Sequence, residues 1–360
     1  MIERLLIANR GEIALRIAST AHRLGISTVG VYSEVDRNAL HLDAMDVAVA
    51  LGGTTPAESY LHGAALVQAA LDTGAEAVHP GYGFLAENAA FAQAVIDAGL
   101  VWVGPTPEQI ALLGDKVAAK RIAVEAGVPT AGFVEVPAGE APDAGDLFAR
   151  GPVLVKAAAG GGGRGMRVVR SPGELGDAVE SASREAQSAF GDGTVFLEPY
   201  IARGRHVEVQ IVGDSHGNLI HLFERECSIQ RRNQKLVEES PSPGIDDSVR
   251  TALIDGAVAL GRHVSYLNAG TVEFLVGDDG TISFLEVNTR LQVEHRVTEL
   301  VTGLDLVELQ LSVAGGEAVP DQAAVATHGA AIEVRVVAED PAAGWLPSTG
   351  TIARFDVSDP

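Results

Sequence analysis

Thr271-Val-Glu273-Phe-Leu-Val-Gly277-Asp-Asp-Gly280-Thr-Ile-Ser-Phe-Leu-Glu286 runs directly into Val287-Asn288-Thr-Arg290-Leu-Gln292-Val-Glu294-His295. Two β-rich runs flank Gly-Asp-Asp-Gly, and Asp279-Gly280 suits the positive-φ positions of a tight turn, so the first half reads as a β-hairpin. A loop of two or four residues opposes residue 273 to residue 286; an odd loop would shift that register. Directly opposed residues hold their Cβ atoms roughly 4.5–5.5 Å apart on one face. Glu273 and Glu286 then become neighbours, with Asn288 two residues further along. Two carboxylates that close repel each other, and two carboxylates with an amide suit Mg²⁺ or Mn²⁺. One protonated carboxylate and no metal is the plainer alternative.

Along the second half every second residue is charged or an amide. As a strand it would place Glu286, Asn288, Arg290, Gln292 and Glu294 on one face. An amphipathic edge strand with a solvated polar face is the ordinary reading of such alternation. Eight residues at roughly 3.3 Å each span about 26 Å, too far for one site. If both halves of the stretch are to serve one site, the chain must bend after Asn288.

The 360 residues, 46% of them hydrophobic and 21% charged, are enough for a large core and two or more domains. A net charge of −22 argues against nucleic acid as a partner, which needs a basic footprint. No apolar run reaches the length of a membrane span. The N-terminus enters a strand pattern at once, with neither a signal nor a transit peptide expected before it. The single cysteine, Cys227, excludes an intrachain disulfide and fits a reducing cytoplasm. Of 26 basic residues only Lys116, Lys120, Lys156 and Lys235 are lysines, leaving 22 arginines. Retained lysines in such a background point weakly to compact ammonium charges at phosphates.

Short apolar runs alternate with helical patterns over the first hundred-odd residues. Strands are expected at Leu5–Asn9, Thr28–Tyr32, Val47–Leu51, Ala77–His79 and Val101–Val103. Helices are expected at Gly11–Leu24, Ser59–Asp72 and Phe91–Ala98. That order implies a parallel sheet covered on both faces. A helix over Asp115–Ala126 leads to a linker at Gly127-Val-Pro129. Beyond residue 130 paired strands dominate, with helices near 173–188, 246–263 and Asp305–Ala314 and strands at Ala331–Val337 and Gly350–Phe355. Val153–Lys156, then Gly160, Gly161, Gly162 and Gly163, then Met166–Val169 reads as strand, glycine loop, strand. Such a loop turns backbone N–H groups toward an anion at no steric cost, and Lys156 beside it favours a lid over a nucleotide triphosphate. Gln230-Arg-Arg-Asn-Gln-Lys235 gathers three cations and three amides, a second candidate anion site.

Together these pieces closely resemble biotin carboxylase, the ATP-grasp component of acyl-CoA carboxylases. The resemblance is carried by Ile7-Ala-Asn-Arg-Gly-Glu-Ile13, His79-Pro-Gly-Tyr-Gly-Phe-Leu-Ala-Glu-Asn88 and Gly114-Asp-Lys116. It continues through Arg205-His-Val-Glu-Val-Gln210, Glu226–Lys235, Glu286–His295 and Gly329–Pro341. It implies a mixed α/β and α+β fold. A Rossmann-like N-terminal domain would occupy 1–114 and an ATP-grasp domain 115–328, with a C-terminal domain starting at 329–360. By the same resemblance Lys116 and Lys156 hold ATP phosphates under the glycine loop, Glu198 and Leu275 frame the adenine, and His206 and Gln230 contact the nucleotide. Glu273, Glu286 and Asn288 ligate Mg²⁺ or Mn²⁺, two ions in all. Lys235, Arg290, Gln292 and Val293 position bicarbonate, and Glu294 is the base that deprotonates it. Arg335 stabilises the biotin enolate.

The implied partners are a biotin carboxyl carrier domain or protein, a carboxyltransferase subunit and a second copy of the chain, in the cytoplasm. Biotin is expected as a carrier-bound substrate, since no Met-Lys-Met acceptor occurs here. Asn233 stands where the family commonly has histidine or an aromatic, and Arg296 replaces the usual proline. Family members also continue beyond the point where this sequence stops. Two other readings stay open: a bicarbonate-activating ligase of the carbamoyl-phosphate synthase kind, and a nucleotide-binding module without turnover.

Overall fold

The structure, a computed structural model, describes residues 2–158, 166–352, 354 and 356. The glycine run Gly160–Gly163 lies outside the described residues. Near-continuous apolar segments such as Leu5-Leu6-Ile7 favour strands buried on both faces. They form a parallel sheet of β1 (Arg4–Ile7), β2 (Ser27–Tyr32), β3 (Val47–Ala50), β4 (Ala77–His79) and β5 (Val101–Trp102), in the order β3-β2-β1-β4-β5. Helices α1 (Gly11–Arg23), α2 (Gly63–Thr73) and α3 (Ala89–Asp97) follow β1, β3 and β4. Strand order reverses beside β1, so the loops after β1 and β4 flank a crevice. Asn9 Nδ2 closes them together by donating to the carbonyls of Pro80 and Tyr82, each at 2.7 Å.

Helix α2 starts four residues later than its periodicity suggests, because Pro56–Glu58 takes a 3₁₀ turn under a Thr55–Glu58 capping box. Helix α4 (Pro107–Gly114) is absent from the periodicity reading, although Thr106-Pro-Glu-Gln109 carries a capping box and a proline at the first turn. The Asp115 carboxylate then accepts from Val117 N and Ala118 N at 2.9 Å, making Lys116 the first residue of α5 (Lys116–Glu125).

Two antiparallel sheets follow. β6 (Val134–Val136), β7 (Val153–Ala157), β8 (Arg167–Val169) and β9 (Val195–Pro199) form one in the order β6-β9-β7-β8, covered by α6 (Leu175–Phe190). β7 and β8 are the strands expected on either side of the glycine run. The larger sheet contains β10 (Gly204–Gly213), β11 (Leu219–Arg231), β12 (Gln234–Ser240), β13 (Asn268–Gly277), β14 (Ile282–Asn288) and β15 (Ala331–Val334), ordered β14-β13-β10-β11-β12-β15. Helix α7 (Asp247–His263) lays Leu253, Ala257 and Leu260 against Val207, Val209, Val272 and Phe274 of that sheet. Helices α8 (His295–Thr302) and α9 (Leu306–Ala314) join it to the parallel sheet. Leu306, Val307 and Leu311 share a core with Ile13 and Ile17 of α1, and Arg16 bonds Asp305 at 2.8 Å. No helix among the described residues is long and apolar enough to cross a membrane.

The β13–β14 hairpin opposes Glu273 to Glu286 as expected, by an unexpected route. Its loop has three residues, closed by Gly277 N to the Thr281 carbonyl at 2.8 Å, with Gly280 at φ +79°. Near the tip Phe274 therefore pairs Phe284, Leu275 pairs Ser283 and Val276 pairs Ile282. Leu285 is then an extra residue that shifts the register back by one, restoring Glu273↔Glu286 and Thr271↔Asn288. The shared polar face, by contrast, does not run to Glu294. The strand ends at Asn288, residues 289–294 bend and turn, and α8 begins at His295. The expected bend after Asn288 is thus present.

The expected strand at Gly350–Phe355 does not form among the described residues of that segment. No described strand offers it a ladder, and Ile352 is 72% exposed.

Candidate active site

Two adjoining chambers lie against the larger antiparallel sheet, sharing His206, Gln230, Asn233, Glu273 and Glu286, and the smaller sheet faces the first of them. The first, of about 320 Å³, has apolar walls from both sheets: Leu154 and Phe196 on one side, Leu275 and Leu285 on the other, with Met166 at its edge. Leu285 reaches this wall as the bulge residue. Such a slot fits a planar heterocycle, while Lys116, Lys156 and His206 mark its polar end.

All four lysines of the chain lie in or beneath these chambers. Lys116 Nζ meets Glu286 at 3.0 Å. Lys120, 2% exposed, bonds Glu198 at 2.9 Å and the Phe284 carbonyl at 3.1 Å. Lys156 takes the other Glu198 oxygen. Glu198 therefore lies under the slot with both oxygens held by ammonium groups. Burial alone would raise its carboxyl, but Lys156 and Lys120 outweigh that and hold it below the usual range.

The second chamber, of about 540 Å³, is polar throughout and opens beside Tyr82 and Gly83 of the parallel-sheet domain. At its centre Lys235 Nζ bonds three carboxylates: Glu208 at 2.5 Å, Glu294 at 2.7 Å and Glu273 at 2.8 Å. Burial disfavours the ammonium, yet the three anions hold its pKa well above the ordinary lysine value. Glu273 is opposed by burial and lowered by Lys235 and His206, to about 2. His206 Nε2 lies 2.6 Å from Glu273, and its Nδ1 lies 2.9 Å from Gln230 Nε2.

The fully buried Glu294 spans two cations, with one oxygen on Lys235 and the other on Arg335 Nη2 at 2.8 Å. Arg290 reaches Asn288 Oδ1 at 3.1 Å, Gln292 Oε1 at 2.8 Å and Glu87 at 2.8 Å. Val293 lines the same wall, and His295 Nδ1 faces the Gln292 carbonyl at 2.7 Å. Burial pushes His295 down to about 3, so the imidazole is neutral and donates there.

Glu273, Glu286 and Asn288 offer the hard-oxygen set expected for a divalent cation. Asn288 Nδ2 bonds Glu273 at 2.7 Å, and burial of Glu286 is outweighed by Lys116, which keeps its carboxyl below the usual range. Two ionised carboxylates opposed across a ladder, each already carrying a cation, fit Mg²⁺ or Mn²⁺. Among the described residues, however, the groups that converge with Glu273 to within 4.8 Å of one another are His206 and Glu208, while Glu286 turns toward Lys116.

Several residues of this site escape sequence reasoning. Glu208 sits in the quoted Arg205–Gln210 run, two residues from His206, and strand periodicity could have found it. Arg225, wholly buried, grips Glu208 at 2.6 Å, Gln210 and Thr298 at 2.9 Å and Thr271 at 3.2 Å. Only the pairing of β10 with β11 and the packing of α8 bring those groups together. Arg225→Met leaves the Glu208 oxygen buried without its guanidinium. It is expected to cost about 3–5 kcal/mol of folding stability, read as a lower urea midpoint at constant m value.

Asn233 and Arg232 occupy the two-residue turn between β11 and β12 at φ +63° and +51°. Asparagine tolerates that left-handed backbone, which explains the residue found there. Arg296 is half exposed and pairs with Glu299 at 2.8 Å.

The family described as "Biotin carboxylase, N-terminal domain" matches residues 1–110, and that described as "Carbamoyl-phosphate synthase L chain, ATP binding domain" matches 115–322. The biotin carboxylase of Nostoc sp. is 49% identical, covering 98% of this chain and 80% of the relative. The methylcrotonoyl-CoA carboxylase subunit alpha of Oryza sativa is 50% identical over 98% of this chain and 49% of its own length. This chain thus spans about half the length of such carboxylase subunits.

A solved biotin carboxylase of Campylobacter jejuni in complex with β-γ-ATP superposes with a TM-score of 0.92 at 45% identity, covering 99% of this chain and 80% of that one. The biotin carboxylase domain dimer of Hydrogenobacter thermophilus 2-oxoglutarate carboxylase, in complex with MgADP, ADP and bicarbonate, gives 0.90 at 44% identity. It covers 100% of this chain and 80% of that one. With both domain families matched along it and such identity to a relative it largely covers, the chain belongs to the biotin carboxylase family.

Proposed function

We propose that this chain carries out the ATP- and Mg²⁺- or Mn²⁺-dependent carboxylation of biotin on a carrier, using bicarbonate through carboxyphosphate. One observation carries the reading: Lys235 and Arg335 clasp opposite oxygens of Glu294, beside a cleft walled for a nucleotide. A carboxylate held between two cations lies next to both the phosphoryl-transfer end and the biotin end of one chamber.

In this scheme Leu275, Leu285 and Phe196 sandwich the adenine, and Lys116 and Lys156 neutralise the phosphates. Glu273, Glu286 and Asn288 would hold the metal, which supplies charge neutralisation on the transferring phosphoryl group. Arg290, Gln292, Lys235 and the Val293 backbone orient bicarbonate. Glu294 takes its proton as the bicarbonate oxygen attacks the γ-phosphorus and the bond to ADP breaks. Carboxyphosphate then divides into CO₂ and phosphate. The phosphate removes the proton from biotin N1′, Arg335 holds the enolate oxygen, and N1′ attacks CO₂.

Residues 1–114, 115–328 and 329–360 would serve as the N-terminal domain, the ATP-grasp domain and the beginning of a third. A biotin carboxyl carrier and a carboxyltransferase subunit are the proposed partners, by analogy with the carboxylase subunits among the relatives. A homodimer follows the Hydrogenobacter domain. The single buried thiol, Cys227, suits the cytoplasm.

The test is ADP release from the purified chain, with ATP affinity measured by calorimetry on the same sample. Turnover that requires bicarbonate and rises with free biotin supports the reading. ATP binding without turnover returns the chain to a nucleotide-binding module, and stimulation by ammonia instead of biotin favours carbamoyl-phosphate chemistry.

A further inference from the structure

Strand β15 lies beside β12 in a register that opposes Glu333 to Glu238. Glu238 is fully buried, and its Oε1 accepts from Arg335 Nε at 2.7 Å. Its Oε2 is buried with no hydrogen-bond partner among the described residues, and so is Oε2 of Glu333. Two carboxylates directly opposed on neighbouring strands destabilise the ladder when both are ionised. One proton between them would remove the repulsion, and a carboxyl-to-carboxylate hydrogen bond would satisfy both orphan oxygens at once.

We propose that Glu238 and Glu333 share one proton across the β12–β15 ladder and act as a positioning pair for Arg335 in the biotin half of the reaction. The inference rests on the function proposed above. The charges facing the pair are Arg335, Glu294 and Lys235, with Arg225 behind and Glu12 facing Arg335 from α1. Desolvation first, then Glu238 and Glu294, push the Glu333 carboxyl up to about 7 against the pull of Arg335 and Arg225. Burial likewise raises Glu238 against Arg335. Below pH 7 the pair carries a single charge, and Arg335 is shared between Glu238 and Glu294 with a donor to offer an incoming ureido oxygen. Above it a second charge appears beside the guanidinium and competes with the enolate for that donor.

The experiment compares wild type with Glu333→Gln, which keeps shape but cannot ionise. Kinetics are followed from pH 6 to 8, with biotin-free, bicarbonate-dependent ADP release as the internal reference. In wild type, kcat/KM for biotin relative to that reference falls about threefold or more across the range. In Glu333→Gln the ratio stays flat. Infrared spectra need no turnover: wild type shows a buried protonated carboxyl at pH 6 that is lost by pH 8, and Glu333→Gln lacks it at both.

Glu238→Gln provides a second probe, since removing the facing charge moves the Glu333 ionisation down by about one unit. A Glu333→Gln protein that keeps both the infrared band and the pH-dependent ratio overturns the proposal. Wild type without biotin-dependent turnover overturns the proposed function instead, and the infrared comparison still decides the proton pair.

Discussion

In a Lys235→Met variant, bicarbonate-dependent ADP release falls by about 10²–10³-fold, the loss typical of removing one preorganised donor from developing charge. The reason is visible in the wild-type contacts. One ammonium holds Glu208, Glu273 and Glu294 together within 2.8 Å, and it is the cation that links the proposed bicarbonate base to the proposed metal-side carboxylate. Methionine fills the volume but leaves three buried carboxylates facing each other. Removing one partner of such a network costs about 3–5 kcal/mol of stability.

The cost also depends on pH, with a definite sign. In wild type the ammonium has a folded-state pKa above its unfolded value, so its contribution is fully present at all pH below about 10.4. In the variant Glu273 loses the first-ranked charge that holds it near 2 against burial, so it binds protons more readily than in wild type. The variant is therefore least impaired at acid pH, and its deficit widens as pH rises. Thermal melts of both proteins at pH 5 and pH 8 measure this. An equal deficit at the two pH values removes the carboxylate cluster as its origin.

Glu294→Gln is expected to lower turnover by about 10²–10⁴-fold, the range for a positioned general base, while ATP affinity stays within about twofold of wild type. Glutamine is isosteric and reaches the same place, yet it accepts no proton. It also presents an N–H₂ group to one of the two cations that the carboxylate now bridges, so either the Lys235 or the Arg335 contact is lost. The nucleotide slot is walled by other residues and keeps its shape. Calorimetric ATP titration and coupled ADP release on the same preparation separate the two effects. A variant that turns over at the wild-type rate excludes Glu294 as the base.

Much of the parallel sheet was legible because its signals are local. β1, β2, β4 and α1 follow from apolar runs and helical spacing a few residues long. Helix α4 was missed although its capping box is equally local; eight residues carry too little periodicity to stand out. The hairpin teaches a different lesson. Glu273 does oppose Glu286, but through a three-residue loop and a bulge whose shifts cancel. Leu285 as bulge residue, and hence as a wall of the slot, is not written in the alternation. Among its described residues the strand expected at Gly350–Phe355 is absent for the complementary reason, since β-propensity without a partner strand makes no ladder.

Sequence alone determined the chemistry available to this protein. It placed carboxylates and an amide at strand spacing, retained four lysines among 22 arginines, and required a bend after Asn288. Tertiary structure decided which of those groups meet. Arg225 finds Glu208 only across β10 and β11, Arg335 finds Glu238 across β12 and β15, and Glu87 reaches Arg290 from another domain. Charges so far apart in the chain do not influence one another in unfolded chain and water. They interact strongly only once folding removes the solvent between them, so the partners of each charge are a property of the packed fold.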